Sequence, residues 1–454
     1  MKRNNDNSFW VKKKVSPKAI FNNYFASDIF IILVVSGFVR IFYYSNFVDT
    51  VSPDSPSYLN FTENILNGEV NAWRTPIYPI FLKLIRLFVS PSYFIQLVIL
   101  VQSLISFSTI IVFYGIVKSI YKKRHVIIFA TLFFALSPSI VNYDKCILTE
   151  SLSISFIVFY MGLIINYFSK PTIFKATSYT LLTFFAIMLR PSFLFLIPLI
   201  VAFWILRFFF IKVERKICIA GFVTSIICLL LISGYSNLNY IQNGCNSLSA
   251  VKNLNQMDIL ITNNMYSNGN DYEITETIRN NCDIPSQIYH WKTHAALNDK
   301  YSYSRISDFI YNSIINQPKL YFQKVLVRFY ELGNERISTR YAERKNGFIS
   351  LFNFILKLNF ITFFAIYFLL IIDIIYISFH FFKTQKILWY KIILWALISA
   401  QLLIIVIGSP TDYQRLFVIV LPCVIILFFS YIDILFYAVD KKKISEYMRS
   451  YQIY

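Results

Sequence analysis

Long apolar runs separated by short basic or polar segments dominate the chain. The runs cover residues 28–47, 93–117, 125–141, 148–168, 176–189, 193–210, 217–232, 348–382, 388–407 and 416–439. Most come near the ~20 residues that a helix needs to cross a bilayer, where every backbone polar group must be satisfied within the protein. The pattern predicts an all-α polytopic membrane protein with about ten transmembrane helices. The run 176–189 is short, and Arg190-Pro191 separates it from the next.

Two stretches break the pattern. Residues 51–82 form a polar segment punctuated by Pro53, Pro56, Pro76 and Pro79, and prolines preclude one long helix. Tyr58, Leu59, Ile65 and Leu66 mark one apolar stripe, and Ile77, Ile80, Phe81, Leu84, Ile85 and Phe88 mark another. This spacing predicts two interfacial helices joined by a loop carrying Arg74. Residues 237–347 are polar but lack the composition of a linker. Ile306, Phe309, Ile310 and Ile314 recur at helical spacing and Pro318 divides the run, which predicts a small, mostly helical subdomain.

Composition agrees with a membrane protein: 56% of residues are hydrophobic and 15% charged, with mean hydropathy +0.55. The net charge of +19 sits mostly in clusters between apolar runs, which fits a positive-inside bias and excludes nucleic acid as the expected partner. The bias places the tails 1–27 and 441–454 in the cytoplasm. It places the loop 48–92, within an N-terminal membrane domain 28–236, on the outer face. The subdomain 237–347 is then also outside, followed by C-terminal membrane helices in 348–440. The first run is full length with no small-residue cleavage site, so no removable leader is expected. The six cysteines form no CxxC. Cys245 and Cys282 stand apart from the rest in the polar subdomain and are candidates for a disulfide.

On this topology Asp54, Arg74, Asp144, Lys145, Glu150, Arg190, Asp412 and Arg415 gather at one face. Ionisable groups at membrane depth are costly and mark substrate paths. Each has a plainer reading. Asp54 fits a helix N-cap, Glu150 a first-turn acid, Arg74 a headgroup contact and Lys145 a snorkelling side chain. His290 and His294 have metal-pair spacing, but no acid falls between them, so a solvated helix face is expected.

Asp54, followed by Tyr58-Leu59, a short helix, Gly68, Arg74-Thr75-Pro76 and Tyr78-Pro79, resembles the polyprenyl-phosphate-dependent glycosyltransferases of the GT-C type. The nearest branch is family 39, the protein O-mannosyltransferase and aminoarabinose-transferase-like group. Elsewhere the likeness is one of layout. It implies transfer, with inversion, from a polyprenyl-phosphate-linked sugar donor to an outward-facing glycan, lipid or protein acceptor. It casts Asp54 as general base and Glu150, in Thr149-Glu150-Ser151-Leu152, as a carboxylate orienting acceptor or cation, with Asp144 competing for that role. Arg74, Arg190 and Arg415 would hold the phosphate, and Tyr58, Tyr78 and Lys145 would complete the donor site. Many members follow the first acid with a second, whereas Ser55 follows Asp54 here, so a divalent cation (Mg or Mn) is left open as the one cofactor. The rivals are an O-antigen polymerase or ligase, which relies on arginines in a large outer loop, and a lipid-linked sugar transporter or flippase. The absence of an internal repeat counts against an inverted-repeat transporter. The Ile-, Asn-, Lys- and Phe-rich composition points to a bacterial inner membrane, with the endoplasmic reticulum as the alternative.

Overall fold

The computed structural model describes residues 23–46, 51–282, 290–334, 363–384, 388–410 and 413–439. The two tails, residues 335–362 and Asp412 lie outside them. Within the described residues every long apolar run folds mainly as helix, the form that satisfies its own backbone in lipid. In chain order these are α1 (Asn23–Asn46), α4 (Phe94–Ile120), α5 (Arg124–Leu136), α6 (Glu150–Ser169), α7 (Ile173–Leu189), α8 (Leu196–Phe210), α9 (Arg215–Asn243), α15 (Phe363–Thr384), α16 (Trp389–Gly408) and α17 (Leu421–Val439). Among the described residues nine spans are long and apolar enough to cross a membrane, and α7 is a shorter apolar helix beside them. The chain is thus an all-α polytopic membrane protein.

Between α1 and α4 lie α2 (Ser55–Asn64) and α3 (Ile77–Arg86). Pro56 occupies the first turn of α2, and Pro76 is the N-cap of α3, positions where a missing N–H costs nothing. The expected stripe on α3 is only half right. Tyr78, Leu82 and Ile85 pack inward, while Ile80, Leu84 and Phe88 are exposed. The helix is apolar on both sides, as suits an element resting between protein and lipid.

The bundle packs α4 along α5 and α6, and α9 along α7 and α8. Gly221 permits the last contact: a Cβ there would come within 2.1 Å of the Trp204 ring. Helix α9 runs past the expected end of its span to Asn243 and stops at Gly244, whose φ of 68° is left-handed. The polar subdomain follows as α10 (Val251–Thr262), α11 (Tyr272–Asn281), α12 (Trp291–Lys300), α13 (Tyr303–Ile315) and α14 (Pro318–Asn334). It has its own core of Met257, Leu260, Ile274, Ile278, Leu297 and Phe309. Asp271 and Ser302 cap α11 and α13 by accepting from Ile274 N and Arg305 N.

Two expectations concern this subdomain. No disulfide joins Cys245 and Cys282. Cys245 Sγ lies 3.2 Å from Ser247 Oγ, and Cys282 Sγ lies 3.7 Å from His290 Nδ1; the folded chain gives each thiol a different neighbour. His290 and His294 are not a solvated face. They are 4% and 7% exposed, because Asp258 of α10 accepts from His290 N at 3.1 Å and meets His294 Nε2 at 2.7 Å.

Candidate active site

Five charged side chains meet at one end of the bundle. Asp54 precedes α2 with helical backbone angles, and its side chain caps no N–H. Its carboxylate is used elsewhere: Oδ1 accepts from Arg74 Nη2 at 2.8 Å and Oδ2 from Arg415 Nη1 at 2.6 Å. Arg415, on the turn Tyr413–Phe417 that leads into α17, also donates through Nε to Glu150 Oε1 at 2.5 Å. The same Glu150 oxygen lies 2.9 Å from Arg190 Nη1. Glu150 is the first residue of α6, and Arg190 terminates α7. One guanidinium therefore bridges two carboxylates, and each carboxylate has a further arginine of its own.

Local sequence explains the placement. Asn71 Oδ1 accepts from Trp73 N and Arg74 N at 2.8 and 3.0 Å, an Asx turn that stiffens the loop. Arg74 then spends Nε on Ser57 Oγ at 2.7 Å and Nη1 on Tyr58 Oη at 3.2 Å, with its guanidinium 4.4 Å from the Tyr58 ring centre. Tyr78 packs edge-on to Tyr58 and donates to Gln102 of α4 at 2.8 Å. Gln102 in turn donates to the carbonyls of Asp144 and Cys146, and so ties the turn before α6 to α4. Arg190 donates to Thr149 Oγ1 and Ser192 Oγ.

The electrostatics follow from the count of charges. Burial alone pushes the Asp54 carboxyl up, but Arg415 and Arg74 outweigh it and bring the pKa from 3.8 to about 2. Among the described residues three guanidiniums face two carboxylates, an excess of one positive charge. Glu150 Oε2 is buried without a hydrogen-bond partner among the described residues. An excess of forked donors suits an anion, above all a phosphate.

A divalent cation would have to compete with the arginines for these carboxylates. Mg²⁺ and similar cations need carboxylate oxygens free to coordinate. Both Asp54 oxygens are held by arginines, and Glu150 Oε1 by two of them. Among the described residues no group of three or more His, Cys, Asp and Glu could hold a metal.

Of the other expected site residues, Tyr58 and Tyr78 join the cluster as packing behind Arg74. Asp144 and Lys145 turn away from it. Asp144 accepts from Ser151 Oγ at 2.7 Å and lies 3.7 Å from Arg40 of α1. Lys145 is buried and donates to Tyr44 O at 3.0 Å. Arg40 was not expected, although a lone arginine inside the first apolar run is itself a signal. Ser57, Thr149 and Ser192, which orient the arginines, carry no such signal.

No protein-family model matches the chain, and no curated protein matches it significantly. Among solved structures it is similar to the archaeal oligosaccharyltransferase AglB from Archaeoglobus fulgidus, solved in complex with an inhibitory peptide and a dolichol-phosphate. The TM-score is 0.51 at 12% identity, over 96% of this chain and 54% of that one. The chain shares the fold of that structure. The chain spans about half the length of that structure, and the likeness concerns architecture alone.

Proposed function

We propose that this protein is a membrane glycosyltransferase that moves a sugar, with inversion, from a polyprenyl-phosphate carrier to an outward-facing hydroxyl of a glycan, lipid or protein. The observation that carries the reading is the bridge Asp54–Arg415–Glu150 with Arg74 and Arg190 beside it, a net-positive cluster at the end of a GT-C bundle. AglB was solved with a dolichol-phosphate, and a carrier of that class suits three arginines at headgroup level. The Asp54-to-Pro79 pattern favours a relationship to family 39.

In this reading Asp54 takes the proton of the acceptor hydroxyl as its oxygen bonds to the anomeric carbon. The bond from that carbon to the phosphate oxygen breaks, and the phosphate leaves with the electron pair, neutralised by Arg74, Arg190 and Arg415. At rest Asp54 is a weak base, because two guanidiniums hold its pKa down. An incoming phosphate competes for those same guanidiniums, and each one it draws off raises the proton affinity of Asp54. Donor binding thereby prepares the base.

The decisive experiment uses purified protein in nanodiscs with a polyprenyl-phosphate hexose. Asp54→Asn should lower turnover roughly 10²–10⁴-fold with melting and donor binding little changed. Near-normal turnover removes the base assignment. Arg190→Ala should weaken both turnover and donor binding. The proposed location is a bacterial inner membrane with the cluster on the outer face. In a Cys282→Ser background, an impermeant thiol reagent should then reach a cysteine placed at the exposed Tyr272 and not one at Lys122.

A further inference from the structure

A cavity of about 320 Å³ lies between the loop that carries Arg74 and the polar subdomain. Trp73 forms part of one wall, and Asn253 of α10, His294 and Asn298 of α12, and Tyr301 and Tyr303 form much of the rest. Its size falls at the lower end of the ~300–1,000 Å³ usual for small-molecule sites. Among the described residues the lining includes no Asp, Glu, Lys or Arg, and the His294 ring is engaged by Asp258 at 2.7 Å. Asn253 is only 6% exposed, and its Nδ2 has no hydrogen-bond partner among the described residues. A buried amide donor left unpaired is costly, so an acceptor atom of a bound molecule is favoured there.

The wall nearest the cluster is rigidly held. Trp73 O accepts from Ser249 Oγ at 2.6 Å and Ala72 O from Ala250 N at 2.7 Å. Arg74, the next residue, reaches Asp54. Whatever rests on Trp73 therefore lies against the residue that precedes Arg74 in the chain.

We propose that this cavity binds a neutral sugar ring, the saccharide unit of the acceptor; only the word acceptor rests on the glycosyl-transfer reading. Primary amides such as Asn253 and Asn298 offer donor and acceptor side by side, matching neighbouring hydroxyls. Trp73, Tyr301 and Tyr303 offer apolar faces with polar edges, matching a ring that has both. A phosphate or anionic headgroup calls for the arginines outside the cavity, and an acyl chain would leave the amides unpaired.

The test is saturation-transfer NMR on the full chain in nanodiscs without donor lipid. The probes are methyl glycosides of glucose, mannose, galactose and N-acetylglucosamine, with an uncharged, end-blocked Gly-Ser-Gly tripeptide as the competing class. At least one glycoside should bind, and Asn253→Leu should weaken it roughly tenfold. Asn298→Ala, at an exposed position that cannot disturb the core, should weaken it several-fold and keeps the test valid if Asn253→Leu fails to fold. Binding of no glycoside, binding that Asn298→Ala and a folded Asn253→Leu leave unchanged, or binding of the tripeptide alone overturns the proposal. No sugar transfer occurs in this assay. Sugar binding by an inactive enzyme would therefore count against the transferase reading alone, and a working transferase with an empty cavity against this one alone.

Discussion

Two of the charge clusters among the described residues have opposite designs. In the membrane bundle, Asp373 of α15 and Lys391 of α16 form an ion pair in which neither side chain is exposed. Tyr431 donates to one Asp373 oxygen at 2.5 Å and Trp395 to the other at 2.8 Å. The Lys391 ammonium also meets Ser430 Oγ at 3.3 Å and faces the Tyr431 ring at 4.3 Å. One charge balances one charge. Among the described residues of the Asp54 cluster three guanidiniums face two carboxylates, the Asp54 side chain is 34% exposed, and Glu150 Oε2 has no hydrogen-bond partner. Burial of charge alone therefore does not distinguish a site from a structural clamp. On the proposed reading, unbalanced charge with access to solvent does.

The largest expected effect tests the clamp. Lys391→Met strands the Asp373 carboxylate in the bundle and should cost about 3–5 kcal/mol of stability. The folded fraction should keep its kcat. Replacing both partners, Asp373→Leu with Lys391→Met, should recover most of the loss, since a well-packed apolar pair of similar volume is often neutral or better. Denaturant unfolding in detergent with a parallel activity assay measures both quantities. A folded Lys391→Met protein with no turnover would erase the contrast between the clusters.

The fold was largely legible because a bilayer demands long apolar runs, and these are visible without periodicity. The candidate site was legible as a set of residues and illegible as a set of bonds. Arg415 is separated from Asp54 by 361 positions and from Glu150 by 265, and no spacing rule reaches that far. Asp144 and Glu150 stand six residues apart and looked interchangeable. The turn Asn142–Lys145 sends Asp144 to Arg40 and leaves Glu150 at the head of α6. His290 and His294 were misread for the same reason: their partner Asp258 lies on another helix, and a buried carboxylate far away in sequence leaves no local mark.

A smaller effect concerns the bridging arginine. Arg415→Met should lower kcat roughly 10²–10³-fold, the usual consequence of removing one preorganised donor at a developing negative charge. Arg415→Lys should rescue little. A single ammonium lacks the fork by which Nε and Nη1 reach two carboxylates on different helices. Restoration of near-normal turnover by lysine would mean that only the charge count matters, and the geometric half of the contrast would fall.

The smallest effect is a pH dependence. The folded pKa of Asp54, about 2, lies below its ordinary 3.8, so the fold favours the ionised form. The associated stability is fully present above about pH 4 and is lost as pH falls toward 2. With a third of the side chain exposed, solvent screening leaves about 1–2 kcal/mol of it. Between pH 5 and pH 2, wild type should therefore lose that much more stability than Asp54→Asn, which has no proton to take up there. Equal losses would mean that the arginines do not hold the carboxylate in the resting protein. The same shift makes a kinetic demand. If bound phosphate draws Arg74 and Arg415 away, the acid limb of kcat, which reports the donor complex, should lie at higher pH than that of kcat/KM, which reports the free enzyme. Coincident limbs would leave Asp54 locked to its arginines throughout turnover, and the cluster would then resemble the Asp373–Lys391 clamp more than a site that exchanges partners.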